Sequence, residues 1–320
     1  MYRLRTSIAT LLLTATTLVC AQRPYPSQPV TLVVPFAAGS GTDAVARVIA
    51  AKLSERLGQQ VIVDNRAGAN GQIAATFVAK SKPDGYTLYM ATNTSHSANP
   101  SLYKKLSYDP IKDFTPITLT GELPFVLTVS NALPVKTLKE FIAYAKAHPD
   151  KLSYGTPNST SLVTSETVKR LAGINVVGVP YKASPQVLTD MVGGSIDMYV
   201  VDLGSGQGMI REGRIRAIAI TTKTPSKILP EVQPIAATLP GFDVTSWNGI
   251  FGPANLPRPV VERLHKEILV ALAMKDTRDR LAQLGFEVGP SSSPEAFGKY
   301  VADQLAHWTT LIRQAGIEAE

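Results

Sequence analysis

The chain has 320 residues, of which 44% are hydrophobic and 18% charged, with one cysteine and a formal net charge of +7. This composition excludes a disordered or fibrous chain, allows two domains with cores of their own, and leaves no disulfide framework. Lysines and arginines are scattered among acidic residues rather than gathered on one face, which argues against nucleic acid, and the mild positive balance favours anionic ligands.

In chain order, residues 1–21 have the form of a secretory signal peptide: Arg3 and Arg5, an uncharged apolar run too short to span a membrane, then the small Ala21. Cleavage after Ala21 removes two arginines and no acid, so +7 becomes +5, and it also removes Cys20. In the alternative, a lipoprotein, Cys20 becomes the acylated N-terminus, but Val19 before it is bulky for such a signal.

The β-branched run Val30–Val34 predicts a buried parallel strand that Pro35 ends. Val45, Val48, Ile49, Leu53 and Leu57 recur at helical spacing, predicting a helix from Asp43 to the stop at Gly58. Between them, Gly39 and Gly41 leave backbone N–H groups bare beside a helix N-terminus, a natural seat for a carboxylate or phosphate. A strand at 61–63, a helix at 73–81 and a strand at 86–91 follow, so the β-α-β-α-β order predicts a parallel sheet with its ligand beyond the carboxyl ends of the strands. Loops 35–42 and 92–97 then share one edge. The second loop, with Asn93 and Ser95, is either a set of ligand-facing hydrogen-bond groups or a solvated run of cap formers.

A second α/β unit repeats the alternation. Thr137 and Glu140 form a capping box for a helix at 138–148, a strand at 152–154 runs into the small polar loop 155–161, and a helix begins near Ser161. A strand at 176–179, a helix at 185–192 and strands at 196–201 and 215–221 complete the unit. Two polar loops from two domains suggest a ligand between them, although an ordinary strand-to-helix connection explains the second loop, taken alone, more simply. The proline-rich interval 225–240 is expected as a surface connection back to the first domain. Helices at 257–273, 276–283 and 294–315 form the tail, the last with an apolar stripe that is core packing.

Catalysis finds no machinery. Gly39-Ser40-Gly41-Thr42-Asp43-Ala44 fits a dinucleotide fingerprint with Asp64 about twenty residues on, but Pro35 to Ala38 separate it from the strand and Asp43 would face a pyrophosphate. There is no G-x-S-x-G elbow, His148, His265 and His307 sit at helix ends or within helices, and no histidine spacing suits a metal. No cofactor and no metal are expected.

A series of phrases then carries a resemblance. Pro35-Phe36-Ala37-Ala38-Gly39 through Thr42-Asp43 and Ala46-Arg47, Asn65-Arg66 with Gly68 and Gly71, and Pro83-Asp84-Gly85-Tyr86-Thr87-Leu88 come in order. Ser97-Ala98-Asn99-Pro100-Ser101-Leu102-Tyr103, Tyr108-Asp109-Pro110, Ser153-Tyr154-Gly155, Val179-Pro180-Tyr181-Lys182 and Ser246-Trp247 with Gly249 follow. From about Tyr25 to Ile317 the chain resembles the Bug family, the extracytoplasmic solute receptors of tripartite tricarboxylate transporters.

The resemblance implies an α/β periplasmic binding protein of the type II, Venus-flytrap class, with two domains, parallel-rich mixed sheets and a ligand cleft between them. It implies 1–21 as signal peptide, 22–122 as the first part of domain 1, 123–244 as domain 2 and 245–320 as the return to domain 1, with crossing strands near 119–129 and 245–252. The ligand is then a small organic carboxylate (a di- or tricarboxylate, an aromatic carboxylate or an amino acid) and the partners are the permease subunits of the membrane transporter. Carried over by position, the site residues are Phe36, Ala38, Gly39, Ser40, Gly41, Thr42 and Asp43 facing Tyr154, Gly155, Thr156, Asn158, Ser159 and Ser161. Asp202 meets the ligand's far end or caps a helix. Ser40, Ala67, Asn70, Pro157 and Ser159 depart from the family pattern, and Pro157 removes one N–H donor. A monomeric periplasmic receptor that closes by a hinge is the reading adopted; a sensor for a membrane signalling partner is the alternative, and an exported enzyme or dinucleotide binder the lesser one.

Overall fold

The computed structural model describes residues 25–320; the signal peptide expected at 1–21, with Cys20, lies outside the described residues. The first lobe begins β1 (Val30–Val34), α1 (Gly41–Leu57), β2 (Val61–Asn65), α2 (Gln72–Ala79), β3 (Thr87–Thr92), α3 (Asn99–Leu102) and β4 (Phe114–Glu122). The second lobe holds β5 (Phe125–Ser130), α4 (Leu138–Ala147), β6 (Ser153–Thr156), α5 (Ser159–Ala172), β7 (Val177–Pro180), α6 (Ser184–Val192), β8 (Met198–Asp202), α7 (Leu203–Arg211), β9 (Ile215–Ile220) and α8 (Ile235–Thr238). The chain then returns through β10 (Trp247–Pro253), α9 (Arg258–Ala273), α10 (Lys275–Gln283), β11 (Glu287–Val288) and α11 (Pro294–Gln314).

Two sheets result, in the orders β11-β4-β10-β3-β1-β2 and β7-β6-β8-β5-β9. As expected, β1 pairs in parallel with β2 and β3. Strands β10 and β5 run antiparallel to their neighbours, so both sheets are mixed. The side-chain alternation of β1 explains its burial on both faces. Val30, Leu32 and Val34 join the core of Val45, Ile49 and Leu53 from α1, whereas Val33 joins that of Ala74, Ala75 and Val78 from α2.

The lobes are linked at 123–124 and again just before β10, where Leu123 N–H donates to Ser246 O at 3.2 Å. Helix α11 ties them a third time. Its Phe297 and Val301 belong to the first lobe's cluster with Trp247 and Phe251, while Trp308, Leu311 and Ile312 belong to the second lobe's core with Leu127 and Val163. The stripe along this helix therefore serves two cores.

Several expectations need correction. Helix α1 opens two residues earlier than Asp43, because Ser40 in extended conformation is the cap and accepts from Asp43 N–H. Helix α5 opens at Ser159 because Asn158 caps it, ahead of the expected start near Ser161. Interval 225–240 is not a surface strand of loop: Leu229, Val232, Ile235 and Leu239 are buried, packing beneath β9 and in the second lobe's core. Asp202 caps a helix, as one of its two readings has it: α7 forms despite Gly204, Gly206 and Gly208, and Gly206 leaves no room for a side chain against Val201, so packing overrides propensity.

Candidate functional site

Loop 35–40 is held from below by the end of β2. The parallel register brings Val34 opposite Asn65, and Asn65 Nδ2 donates to Phe36 O at 3.0 Å and to Asp43 Oδ1 at 2.9 Å. Asp43 and Ser40 cap the α1 N-terminus reciprocally: Ser40 Oγ accepts from Asp43 N–H at 3.2 Å, and Asp43 Oδ2 accepts from Gly39 N–H at 2.9 Å. Burial pushes the Asp43 carboxyl up, but hydrogen bonds from Arg47, Gly39 and Asn65 outweigh it and hold the group below the ordinary range. Asp43 is thus a brace for the loop, and the Gly39 N–H that a pyrophosphate would need already has its acceptor.

Three capped helix starts from the two lobes converge. Asn158 Oδ1 accepts from Ser161 N–H at 3.0 Å at the start of α5. Asp202 Oδ1 accepts from Ser205 N–H at 2.8 Å at the start of α7, and Ser205 Oγ donates to Asp202 Oδ2 at 2.9 Å. The lobes touch where Gly41 N–H of α1 donates to Ser205 Oγ at 3.1 Å. Burial raises the Asp202 carboxyl above its usual range despite the donors from Ser205 and Gly41.

Segment 92–97 is not a solvated loop. Thr94–Ala98 forms a π-helical turn whose residues are all buried, a geometry found often at functional sites. Asn93 just before it spans the cleft: its Nδ2 donates to Thr160 Oγ1 at 2.8 Å, and its Oδ1 accepts from Ser246 Oγ at 2.9 Å. Behind it, Ser95 Oγ donates to Thr92 O at 3.2 Å and lies 3.0 Å from His96 Nδ1. The His96 ring is enclosed by Tyr89, Phe114, Trp247 and Phe251, with no partner for Nε2 among the described residues. Burial pushes its pKa down to about 3, so the imidazole is neutral.

The space between the lobes has an inner and an outer part. The inner cavity, about 30 Å³, has room for roughly two waters on the scale of about 10–15 Å³ each. Of the residues carried over from sequence, Phe36, Ser40, Thr42, Asn93, Asn158 and Asp202 line it. Thr156 lines only the outer cavity, of about 700 Å³. The others lie off these walls. Ala38 and Gly39 are exposed on the loop, and Gly41 is at the lobe contact. Gly155 packs on Val187, Ser159 Oγ donates toward Asn99 Oδ1, and Ser161 Oγ donates to Val200 O. The Tyr154 hydroxyl bonds Glu166.

The walls add Thr94, Phe125, Thr160, Lys182, Ser184 and Ser246. Lys182 and Ser184 follow the carboxyl end of β7, and the strand-end rule applied to β7 as well as to β1 and β3 would have found them. The arrangement offers hydroxyls, amides and helix starts from both lobes. Among the described residues, no three His, Cys, Asp or Glu side chains gather to hold a metal.

Comparison with known proteins identifies relatives with this fold. The model of the family described as "Tripartite tricarboxylate transporter family receptor" matches residues 45–317. A UPF0065 protein from the tcbD-tcbE intergenic region of Pseudomonas sp. strain P51 is 36% identical over 321 residues, covering 99% of this chain and 95% of that protein. Among solved structures, R. palustris Rpa4515 with adipate superposes with a TM-score of 0.89 at 35% identity, covering 92% of this chain and all of that one. The periplasmic binding protein BugD superposes with a TM-score of 0.87 at 33% identity, again covering 92% of this chain and all of that one.

Proposed function

This chain belongs to the tripartite tricarboxylate transporter receptor family, a family of solute-binding proteins rather than enzymes, and from that premise we propose that it captures a small dicarboxylate by closing its two lobes and presents it to a membrane permease. It works in the periplasm after removal of residues 1–21, as a monomer, with lobes divided at 122/123 and 244/245.

The observation that carries the reading is the Asn93–Thr160 hydrogen bond across a cavity walled by both lobes. A ligand between β1, β3, β6 and β8 strand ends touches one lobe when the cleft is open and both when it is shut. Binding therefore stabilises the shut form, which is the form a permease distinguishes. Apart from Lys182 and Asp202, the polar walls are hydroxyls and amides, suited to a carboxylate held by neutral donors and water, and adipate in the Rpa4515 structure supports the dicarboxylate class.

Thermal denaturation against adipate, citrate, benzoate, aspartate and NAD tests it. A saturable rise in Tm with adipate is expected, corresponding to about 2.7 kcal/mol at a hundredfold excess over Kd. A shift with NAD alone, or none with any carboxylate, would overturn the reading. Uptake in a deletion strain tests delivery: loss of dicarboxylate uptake is expected, and intact uptake would favour a sensor.

A further inference from the structure

We propose that Lys182 reads the second carboxylate of the ligand, so that this receptor discriminates an α,ω-dicarboxylate from the monocarboxylate of the same length and from an amino acid; the inference rests on the receptor reading above.

The inner and outer cavities share Phe36, Ala37, Pro157, Asn158, Lys182 and Ala183, so Lys182 stands at the junction of the two spaces. Only two residues with formal charge line the inner cavity, Lys182 and Asp202. The Asp202 oxygens already accept from Ser205 N–H and Oγ–H. Lys182, by contrast, makes no hydrogen bond and no ion pair among the described residues. One unpaired positive charge thus borders the inner cavity, whose other charged side chain, Asp202, is already engaged by Ser205, while Glu318 and Glu320 line the outer cavity.

The backbone carrying Lys182 is anchored on both sides. Tyr181 N–H donates to Thr156 O at 3.4 Å, and Tyr181 Oη donates to Asp190 Oδ2 at 2.6 Å. On the other side Ser184 opens α6, and its Oγ accepts from Tyr199 Oη at 2.8 Å. The parallel pairing of β6 with β7 sets Thr156 opposite Pro180, which brings the Lys182 connection alongside Pro157 and Asn158 at the start of α5. A carboxylate there meets a mobile point charge on a flexible stem.

The ligand classes separate on charge. A dicarboxylate puts one carboxylate among the inner hydroxyls and amides and the other beside the ammonium. A monocarboxylate of equal length lays a methyl end against Lys182 and gains no charge contact. A monocarboxylic α-amino acid whose carboxylate occupies the inner donors brings no second carboxylate to Lys182 and gains no charge contact there.

Calorimetric titration of the purified protein with adipate and with hexanoate tests this. Wild type should prefer adipate by at least about tenfold, the scale of one charge-assisted contact. Lys182→Gln should lose most of that preference by weakening adipate and leaving hexanoate unchanged, and Lys182→Arg should retain it. In wild type the preference should also shrink between low and high salt, since the lysine is exposed. An adipate-to-hexanoate ratio unchanged in Lys182→Gln, or indifferent to salt in wild type, would overturn the role of Lys182 while leaving the receptor reading intact. Failure of wild type to bind either acid would overturn both.

Discussion

Gly41 and Asp202 meet across the cleft so closely that a Cβ on Gly41 would overlap Asp202 Oδ1 and crowd Leu123 Cδ2 at 2.9 Å. Gly204 is fitted in the same way, since a Cβ there would lie 2.7 Å from Gly41 Cα. The N-terminus of α1, whose bare N–H groups invite an anion, is met here by Ser205 and Asp202 of the other lobe. Two helix starts are apposed with a carboxylate and a hydroxyl between them, which suits the partial positive charge of both.

Gly41→Ala should therefore leave each lobe folded but prop the lobes apart. Adipate affinity should fall at least about tenfold, the scale of losing cross-cleft contacts worth more than about 1.4 kcal/mol. Small-angle scattering should show a larger radius of gyration at saturating adipate than in wild type. Adding Asp202→Ala should restore part of the closure by clearing the overlap; a compact Gly41→Ala protein with wild-type affinity would contradict this.

The Asn93–Thr160 bond is separable from the rest of the cleft by a double-mutant cycle. Asn93→Ala and Thr160→Val should each weaken adipate binding, with a coupling energy of about 1 kcal/mol, the usual net worth of such a bond. Additive losses would mean that the bond plays no part in the ligand-bound form.

His96 makes stability depend on pH. Its folded pKa is about 3, below the ordinary value of 6.5, so below pH 6.5 the unfolded chain binds the proton and the folded chain refuses it. Its contribution is full above about pH 6.5 and is lost as pH falls toward about 3, at up to about 1.4 kcal/mol per pH unit. Urea unfolding at stepped pH should show this decline, and His96→Phe, which suits the surrounding aromatic rings, should flatten it.

Trp308 is fully buried where α11 reaches the second lobe, in the cluster that also takes in Ala98 and Leu102 beside the π-helical turn. Trp308→Ala should cost about 3–5 kcal/mol of unfolding free energy by opening a cavity. Because the same helix packs Phe297 in the first lobe, the two lobes of the variant should melt apart from each other in calorimetry, where wild type melts together.

The local grammar of the chain was readable. The continuous β-branched run at 30–34, period 3.6 over 45–57 and the Thr137–Glu140 capping box each follow from short-range chemistry, and the structure has those elements. Caps were harder. Ser40 and Asn158 move their helix starts by two residues because capping depends on a side chain turning back to a particular N–H, which composition does not reveal. A helix capped by Asp202 was legible, but not the extent of the glycine-rich α7, which depends on the close approach of Val201 and Gly41.

For the site, sequence by itself determined which loops follow strand ends and how rich they are in small polar groups, because both are properties of neighbours along the chain. Only the tertiary structure decided which of those groups line the cavity. Ser161, Tyr154 and Asp43 have the right chemistry but bond to Val200, Glu166 and Arg47 instead. Thr160, Lys182 and Ser246 reach the cavity because β6 pairs with β7 and because the returning chain crosses beside Leu123. A polar side chain bonds whatever long-range pairing brings within about 3 Å, and that distance is set by the packing of two sheets and not by position in the sequence.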